Sequence, residues 1–141
     1  MIAFDTNYLV RHLIHDDPKQ CAEVTSVVLR ESEKGRRIML FDIVLCETLW
    51  VLESAYGATR KDLPTALYAL NAEPAFAFEH PERVYAAIRR FERGNADFSD
   101  YMILETGREK GQKLKTFDKK TEDRSRVRGV NRSIDVRRPP R

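Results

Sequence analysis

The chain begins with Met1-Ile2-Ala3-Phe4-Asp5-Thr6-Asn7, a short apolar run that ends in an acid. The apolar run predicts a buried β-strand, and Asp5 is of the residue type that caps the N-terminus of a helix. The helix itself is indicated by Tyr8, Leu9 and Leu13. We therefore expect a carboxylate at a junction between the first strand and the first helix.

Strands and helices keep alternating along the rest of the chain. The pattern predicts further helices from Pro18 to about Gly35 and over 42–56, 61–70, 81–94 and 98–110, and further strands at 38–41, 75–78, 113–117 and 133–136. The helices at 42–56 and 61–70 are expected to form a helical hairpin. This order predicts an α/β fold with a parallel sheet covered on both faces. In such sheets, ligands bind beyond the carboxyl ends of the strands.

The size and composition of the chain indicate a single domain. Its 141 residues suffice for one core, which we assign to residues 1–136, followed by a basic tail at 137–141. The two cysteines, Cys21 and Cys46, lie far apart and form no metal-binding or disulfide pattern. No stretch is long and apolar enough to predict a membrane span, and the N-terminus does not resemble an export signal. We therefore expect a cytoplasmic protein.

The charge is unevenly distributed. The net charge is +3, whereas residues 119–141 alone hold nine Lys or Arg against three acids. A basic segment beside an acidic pocket indicates binding of a polyanion through its phosphates. Weaker candidates for phosphate contacts are Arg89, Arg90 and Arg93 on one predicted helix, and Lys119 and Lys120. A solvated surface explains the same charges equally simply.

Four acids stand where the fold could gather them: Asp5, Glu47, Asp100 and Asp118. Carboxylates about 4 Å apart repel each other by ~1 kcal/mol in water and ~4 kcal/mol at an effective dielectric constant of ~20. A cation must therefore compensate such a cluster. Oxygen ligands suit Mg²⁺ or Mn²⁺, while the chain has too few cysteines and histidines for a softer site.

Each acid also has a simpler explanation. Asp5 and Asp100 stand where acids cap helices, and Asp118 is a common turn residue. Glu47 could be an exposed glutamate of a helix, although apolar residues on its helical face would make an unpartnered carboxylate costly. We expect Trp50, on that face, to pack in the core. The three histidines show no spacing typical of a ligand pair or a nucleophile relay, and no phosphate-binding glycine loop is present.

The chain resembles the PIN-domain ribonucleases, and among them the VapC-type toxins of toxin–antitoxin pairs. Four segments carry the resemblance, in this order: Phe4-Asp5-Thr6-Asn7, Glu47-Thr48-Leu49-Trp50-Val51-Leu52, Asp97-Phe98-Ser99-Asp100 and Thr116-Phe117-Asp118. The resemblance implies an α/β/α sandwich of three layers around a mainly parallel sheet. It also implies a magnesium-dependent endoribonuclease that works as a homodimer and is blocked by a small antitoxin protein.

The same resemblance assigns roles to individual residues. The metal ligands would be the four acids named above, with Asp97 as an auxiliary acid. Thr6, Asn7 and Thr116 would orient the carboxylates or the attacking water.

Two other functions remain open at this point. The first is a phosphoacceptor domain, which also uses carboxylates, a lysine and Mg²⁺, but such domains place paired acids after the first strand, where this chain has only Asp5. The second is a noncatalytic RNA-binding module that uses the basic tail and keeps the acids as helix caps.

Overall fold

The computed structural model describes residues 1–121, which fall into two compact units. The first unit is Met1–Pro81, and the second begins at Glu82. The strand expected at 133–136 and the tail at 137–141 lie outside the described residues.

The first unit contains three strands and four helices in alternating order. They are β1 (Ile2–Ala3), α1 (Thr6–Leu13), α2 (Pro18–Glu33), β2 (Ile38–Leu40), α3 (Asp42–Tyr56), α4 (Asp62–Ala72) and β3 (Phe76–Phe78). The second unit contains α5 (Pro81–Arg93), which begins at the boundary residue, α6 (Phe98–Glu109) and a short 3-10 helix (Lys119–Thr121). The elements predicted from residue 1 to residue 110 are therefore confirmed, with bounds that differ by one or two residues.

The three strands form a parallel sheet in the order β1-β2-β3. Ile38 in β2 lies opposite Ile2 on one side and Phe76 on the other. Burial alternates along β2: Ile38 and Leu40 are fully buried, whereas Met39 between them is only partly buried. Because the strands are parallel, the residues that follow them all emerge at one edge of the sheet.

Aromatic and aliphatic side chains form the core of the first unit. The ring of Phe4 lies 5.1 Å from that of Tyr8 and 5.7 Å from that of Phe76, measured between centroids. Helix α1 packs against α2 and α3, and α4 packs against α3 and β3. The chain turns from α3 toward α4 at Gly57, whose left-handed φ of 67° favours glycine. The predicted helical hairpin is thus confirmed.

Ion pairs join the two helices of the second unit. The Arg83 guanidinium donates to Glu109 at 2.7 and 3.1 Å, and Arg90 pairs with Glu105, which is largely buried. Phe91 and Phe98 pack edge to face across the turn between the helices.

Two expectations about packing are wrong. Trp50 does not lie in the core, because α3 buries the opposite side of the helix and leaves the side chain 63% exposed. Lys113–Phe117 forms no strand of a hydrogen-bonded sheet within residues 1–121. Lys113 and Lys115 are exposed and Phe117 is 86% exposed, so this segment has no apolar face that burial in a sheet would stabilise.

Candidate functional site

Asp5 lies where β1 ends and α1 begins. Its backbone is extended, and its Oδ1 accepts a hydrogen bond from the backbone N–H of Tyr8 at 3.0 Å. Asp5 is therefore a true helix cap. The side chain remains exposed, and a carboxylate offers about four acceptor positions, so capping leaves room for a cation.

Glu47 reaches the same end of α1 from α3. Its Oε1 accepts a hydrogen bond from the Thr6 hydroxyl at 3.0 Å. Since Thr6 follows Asp5 directly, this bond brings the Glu47 carboxylate to the junction between β1 and α1. Glu47 is exposed, and the buried residues of α3 lie on the other side of the helix. Asn7 is exposed in the first turn of α1.

In the second unit, Asp97 and Asp100 stand together at the start of α6. Asp97 is the N-cap residue, and the Oδ2 of Asp100 accepts from the backbone N–H of Asp97 at 3.3 Å. This is the reciprocal bond of a capping box, which fixes the side chain of Asp100 against the helix end. Asp97 is exposed and Asp100 is half-buried.

Asp118 lies in a tight turn that includes Thr116. The backbone N–H of Asp118 donates to the Thr116 hydroxyl at 2.8 Å, and Asp118 Oδ1 accepts from the N–H of Lys120 at 2.8 Å. Tyr101 of α6 makes a further contact that no sequence pattern predicts. The Tyr101 hydroxyl accepts from the N–H of Ala96 at 3.3 Å and donates to the carbonyl of Lys120 at 3.5 Å. It thereby ties this turn to the first part of α6.

The predicted phosphate contacts differ in their surroundings. Arg90 is held in its ion pair with Glu105. Arg89 and Arg93 are exposed, and the Arg89 guanidinium lies 6.0 Å from the centre of the Tyr85 ring. Lys119 and Lys120 are exposed in the 3-10 helix.

A second group of possible ligands was not predicted. Asp42 follows β2, and Glu79 and His80 follow β3, so all three emerge at the edge of the sheet where Asp5 lies. Their ligand atoms lie within 4.8 Å of one another, and His80 Nδ1 is 2.9 Å from Asp42 Oδ2. The signal that could have found them is the rule that ligands bind beyond the carboxyl ends of parallel strands, because Asp42 follows the strand predicted at 38–41 and Glu79 follows the strand predicted at 75–78.

The same group also has a structural role. Helix α3 begins after Phe41, which offers no capping side chain, and Glu79 Oε1 accepts from the Asp42 N–H at 2.9 Å. Glu79 therefore satisfies one of the N–H groups that a helix start leaves open.

Comparison with protein families gives one match, to the PIN domain, over residues 2–127. The match and the parallel sheet of three strands together confirm the predicted α/β sandwich fold. Comparison with curated proteins found no match. Within residues 1–121, no helix is both long and apolar enough to cross a membrane.

Proposed function

The chain belongs to the PIN domain family, whose members are generally metal-dependent nucleases that act on RNA, and we propose that it is a metal-dependent endoribonuclease serving as the toxin of a VapBC-type toxin–antitoxin pair. The observation that carries this proposal is the hydrogen bond from Thr6 to Glu47. It holds a carboxylate of α3 beside the carboxyl end of β1, where Asp5 stands.

The proposed metal ligands are Asp5, Glu47, Asp100 and Asp118, with Asp97 as an auxiliary acid. This donor set contains only carboxylate oxygens, which fits Mg²⁺ or Mn²⁺. When bound, such an ion lowers the pKa of a water molecule and stabilises the charge that develops on the phosphate.

The protein side chains supply orientation. The Thr6 hydroxyl holds one oxygen of Glu47, and the capping bond holds one oxygen of Asp5, so both carboxylates are positioned before substrate arrives. Asn7 and Thr116 are proposed to assist in the same way. No side chain acts as a covalent nucleophile in this scheme, and water attacks the phosphodiester.

The proposed partners follow from the same assignment. We propose that Arg89, Arg93, Lys119 and Lys120 contact RNA phosphates, since these exposed cations are free to face a polyanion. Arg90 is withdrawn from this set because Glu105 already pairs with it. A homodimer and a small antitoxin that blocks the site complete the proposal.

The test compares variants that keep hydrogen bonds but lose charge. Glu47→Gln and Asp100→Asn retain an oxygen acceptor, so both should fold like the wild type and lose cleavage of single-stranded RNA in Mg²⁺. Asp17→Asn is the matched control, because Asp17 only caps α2 through a 3.1 Å bond to the Gln20 N–H. Full cleavage by either site variant, or cleavage that persists in excess EDTA, would rule the mechanism out.

The purified wild-type protein also distinguishes the two alternative functions, a phosphoacceptor domain and a noncatalytic RNA-binding module. A phosphoacceptor domain would gain the mass of a phosphoryl group after incubation with a small phosphodonor. A noncatalytic module would bind RNA without shortening it at any metal concentration.

A further inference from the structure

Helix α3 presents an apolar surface to solvent on the same side as Glu47. Ile43 precedes Glu47 by four residues and is 69% exposed, and Trp50 follows it by three residues and is 63% exposed. Residues with these spacings lie on one face of a helix. The opposite side of α3 is buried at Val44, Leu45, Thr48, Leu49 and Leu52. Two large apolar side chains therefore flank the candidate ligand, one on each side.

The indole of Trp50 is close to Glu47 along the helix. Three residues correspond to about 4.5 Å of helix rise. A nucleotide whose phosphate lies at the Glu47 carboxylate would thus have its base within reach of the indole. Bases of single-stranded RNA commonly stack on exposed aromatic side chains, and this contact tolerates any base because every base has a π-face.

We propose that Trp50 is a stacking platform for a base of single-stranded RNA next to the cleaved phosphate, with Ile43 as an apolar contact on the other side of Glu47. This inference rests on the proposed ribonuclease function, because it uses the position of Glu47 in that site. It adds a base contact to that function: the nucleotide bound at Trp50 must be unpaired, since a base inside a duplex offers no free face.

The position of Glu47 favours RNA over a second copy of the chain as the occupant. The cores of protein interfaces are depleted of charged residues, and burying a carboxylate between Ile43 and Trp50 would be costly. Bound RNA avoids that cost, because the carboxylate then faces the metal. Coverage by a second copy of the chain is the competing outcome that the experiment must detect.

Trp50 is the only tryptophan of the chain, so tryptophan fluorescence reports on this position alone. The probe is an unstructured RNA oligonucleotide of about a dozen nucleotides, added to the full-length Asp100→Asn protein so that the RNA stays intact. Saturable quenching by this RNA, and much weaker quenching by the same strand in a duplex, are expected.

Kinetics on the active protein give the second measurement. Trp50→Ala should raise KM for single-stranded RNA by about 5- to 150-fold, the range that loss of one stacked base predicts. Trp50→Phe should restore most of the affinity, because phenylalanine still stacks. Leu29→Ala is the matched control, since Leu29 is 56% exposed on α2 outside the proposed site and should leave KM unchanged.

Three results would overturn the inference. One is a wild type that cleaves RNA but whose fluorescence does not change when single-stranded RNA is added, together with a KM of Trp50→Ala equal to that of the wild type. A second is fluorescence that shifts with protein concentration alone while Trp50→Ala dissociates a dimer, which assigns this face to a second copy. An inactive wild type would refute the ribonuclease function itself, and this inference with it.

Discussion

Asp5 combines two roles that a pair of substitutions can separate. It caps α1 through the bond to the Tyr8 N–H, and we propose that it also binds the metal. Asparagine caps helices about as well as aspartate but lacks the charge, whereas alanine loses both properties. Asp5→Asn should therefore abolish cleavage at unchanged stability, and Asp5→Ala should abolish cleavage and also destabilise the fold.

The size of each effect follows from its cause. Loss of the cap in Asp5→Ala should lower the free energy of unfolding by about 1 kcal/mol, or roughly 4 °C in Tm for a chain of this length. Cleavage in both variants should fall by more than the ~100-fold upper range found for residues that only orient a metal ligand. Thermal unfolding in EDTA and cleavage of single-stranded RNA in Mg²⁺ measure the two quantities separately.

Asp17 provides the control for this comparison. It caps α2 through the corresponding hydrogen bond, 3.1 Å to the Gln20 N–H, but has no place in the proposed site. Asp17→Ala should match Asp5→Ala in stability and keep its activity. Cleavage by Asp5→Asn at the wild-type rate would show that Asp5 is a cap and nothing more. Loss of cleavage in Asp17→Ala would show instead that lower stability alone explains the effect.

Three further predictions concern stability, measured by thermal or urea unfolding. Glu79→Ala should lower the free energy of unfolding by about 1 kcal/mol, because it removes the acceptor for the first N–H of α3. Hydrogen bonds from Arg36 lower the pKa of Glu31, so this carboxylate stabilises the fold above its ordinary pKa of 4.5 and stops doing so as the pH falls through the lowered value. Wild type should thus exceed Glu31→Gln in stability at pH 7, and the difference should shrink in acid. Gly94→Ala should cost about 1–3 kcal/mol, because a β-carbon there would overlap the buried Tyr101 side chain.

Each of these predictions has its own control. Glu79→Gln keeps an oxygen acceptor, so its free energy of unfolding should fall less than that of Glu79→Ala. Glu53→Ala, on the exposed side of α3, should leave the free energy of unfolding unchanged. A stability difference for Glu31→Gln that grows toward low pH would contradict the assigned ion pair. Tyr101→Phe should relieve part of the Gly94→Ala defect, since it removes the hydroxyl nearest to the new carbon. Equal stability of Gly94→Ala and wild type would contradict the steric argument.

Local signals made most of the fold predictable. The sequence predicts a helix over 42–56, and α3 has the same bounds. The apolar run ends at Gly57, whose left-handed backbone favours glycine. Gly111 ends α6 in the same way, with a φ of 66°. Gly94 follows the end of α5 for a different reason, the close approach of Tyr101, which no pattern in the sequence reveals.

Two of the wrong predictions share one physical cause: they depend on which side of an element the rest of the chain covers. The apolar residues around Glu47 predict a buried face, yet α3 is apolar on nearly all sides and buries only one of them. Likewise, the sequence of Lys113–Phe117 predicts a strand, but the segment pairs with no strand within the described residues. Asp42, Glu79 and His80 meet for a different reason: β2 and β3 pair in parallel with Leu40 opposite Phe78, so the residues that follow the two strands lie side by side.

The way the candidate carboxylates are held also decides how they must be probed. Asp5, Asp100 and Asp118 each accept a hydrogen bond from a backbone N–H, whereas Glu47 is held by the hydroxyl of Thr6. An alanine in place of any of the three aspartates removes a backbone partner together with a charge, so loss of activity would not identify a ligand. Asparagine removes the charge alone. At Glu47 the equivalent choice is a pair of variants: Thr6→Val should loosen the carboxylate without removing it, and Glu47→Gln should remove its charge while keeping the bond. If Glu47 binds the metal, Thr6→Val should therefore weaken cleavage by about 10- to 100-fold and be partly rescued by more Mg²⁺, while Glu47→Gln should not be rescued.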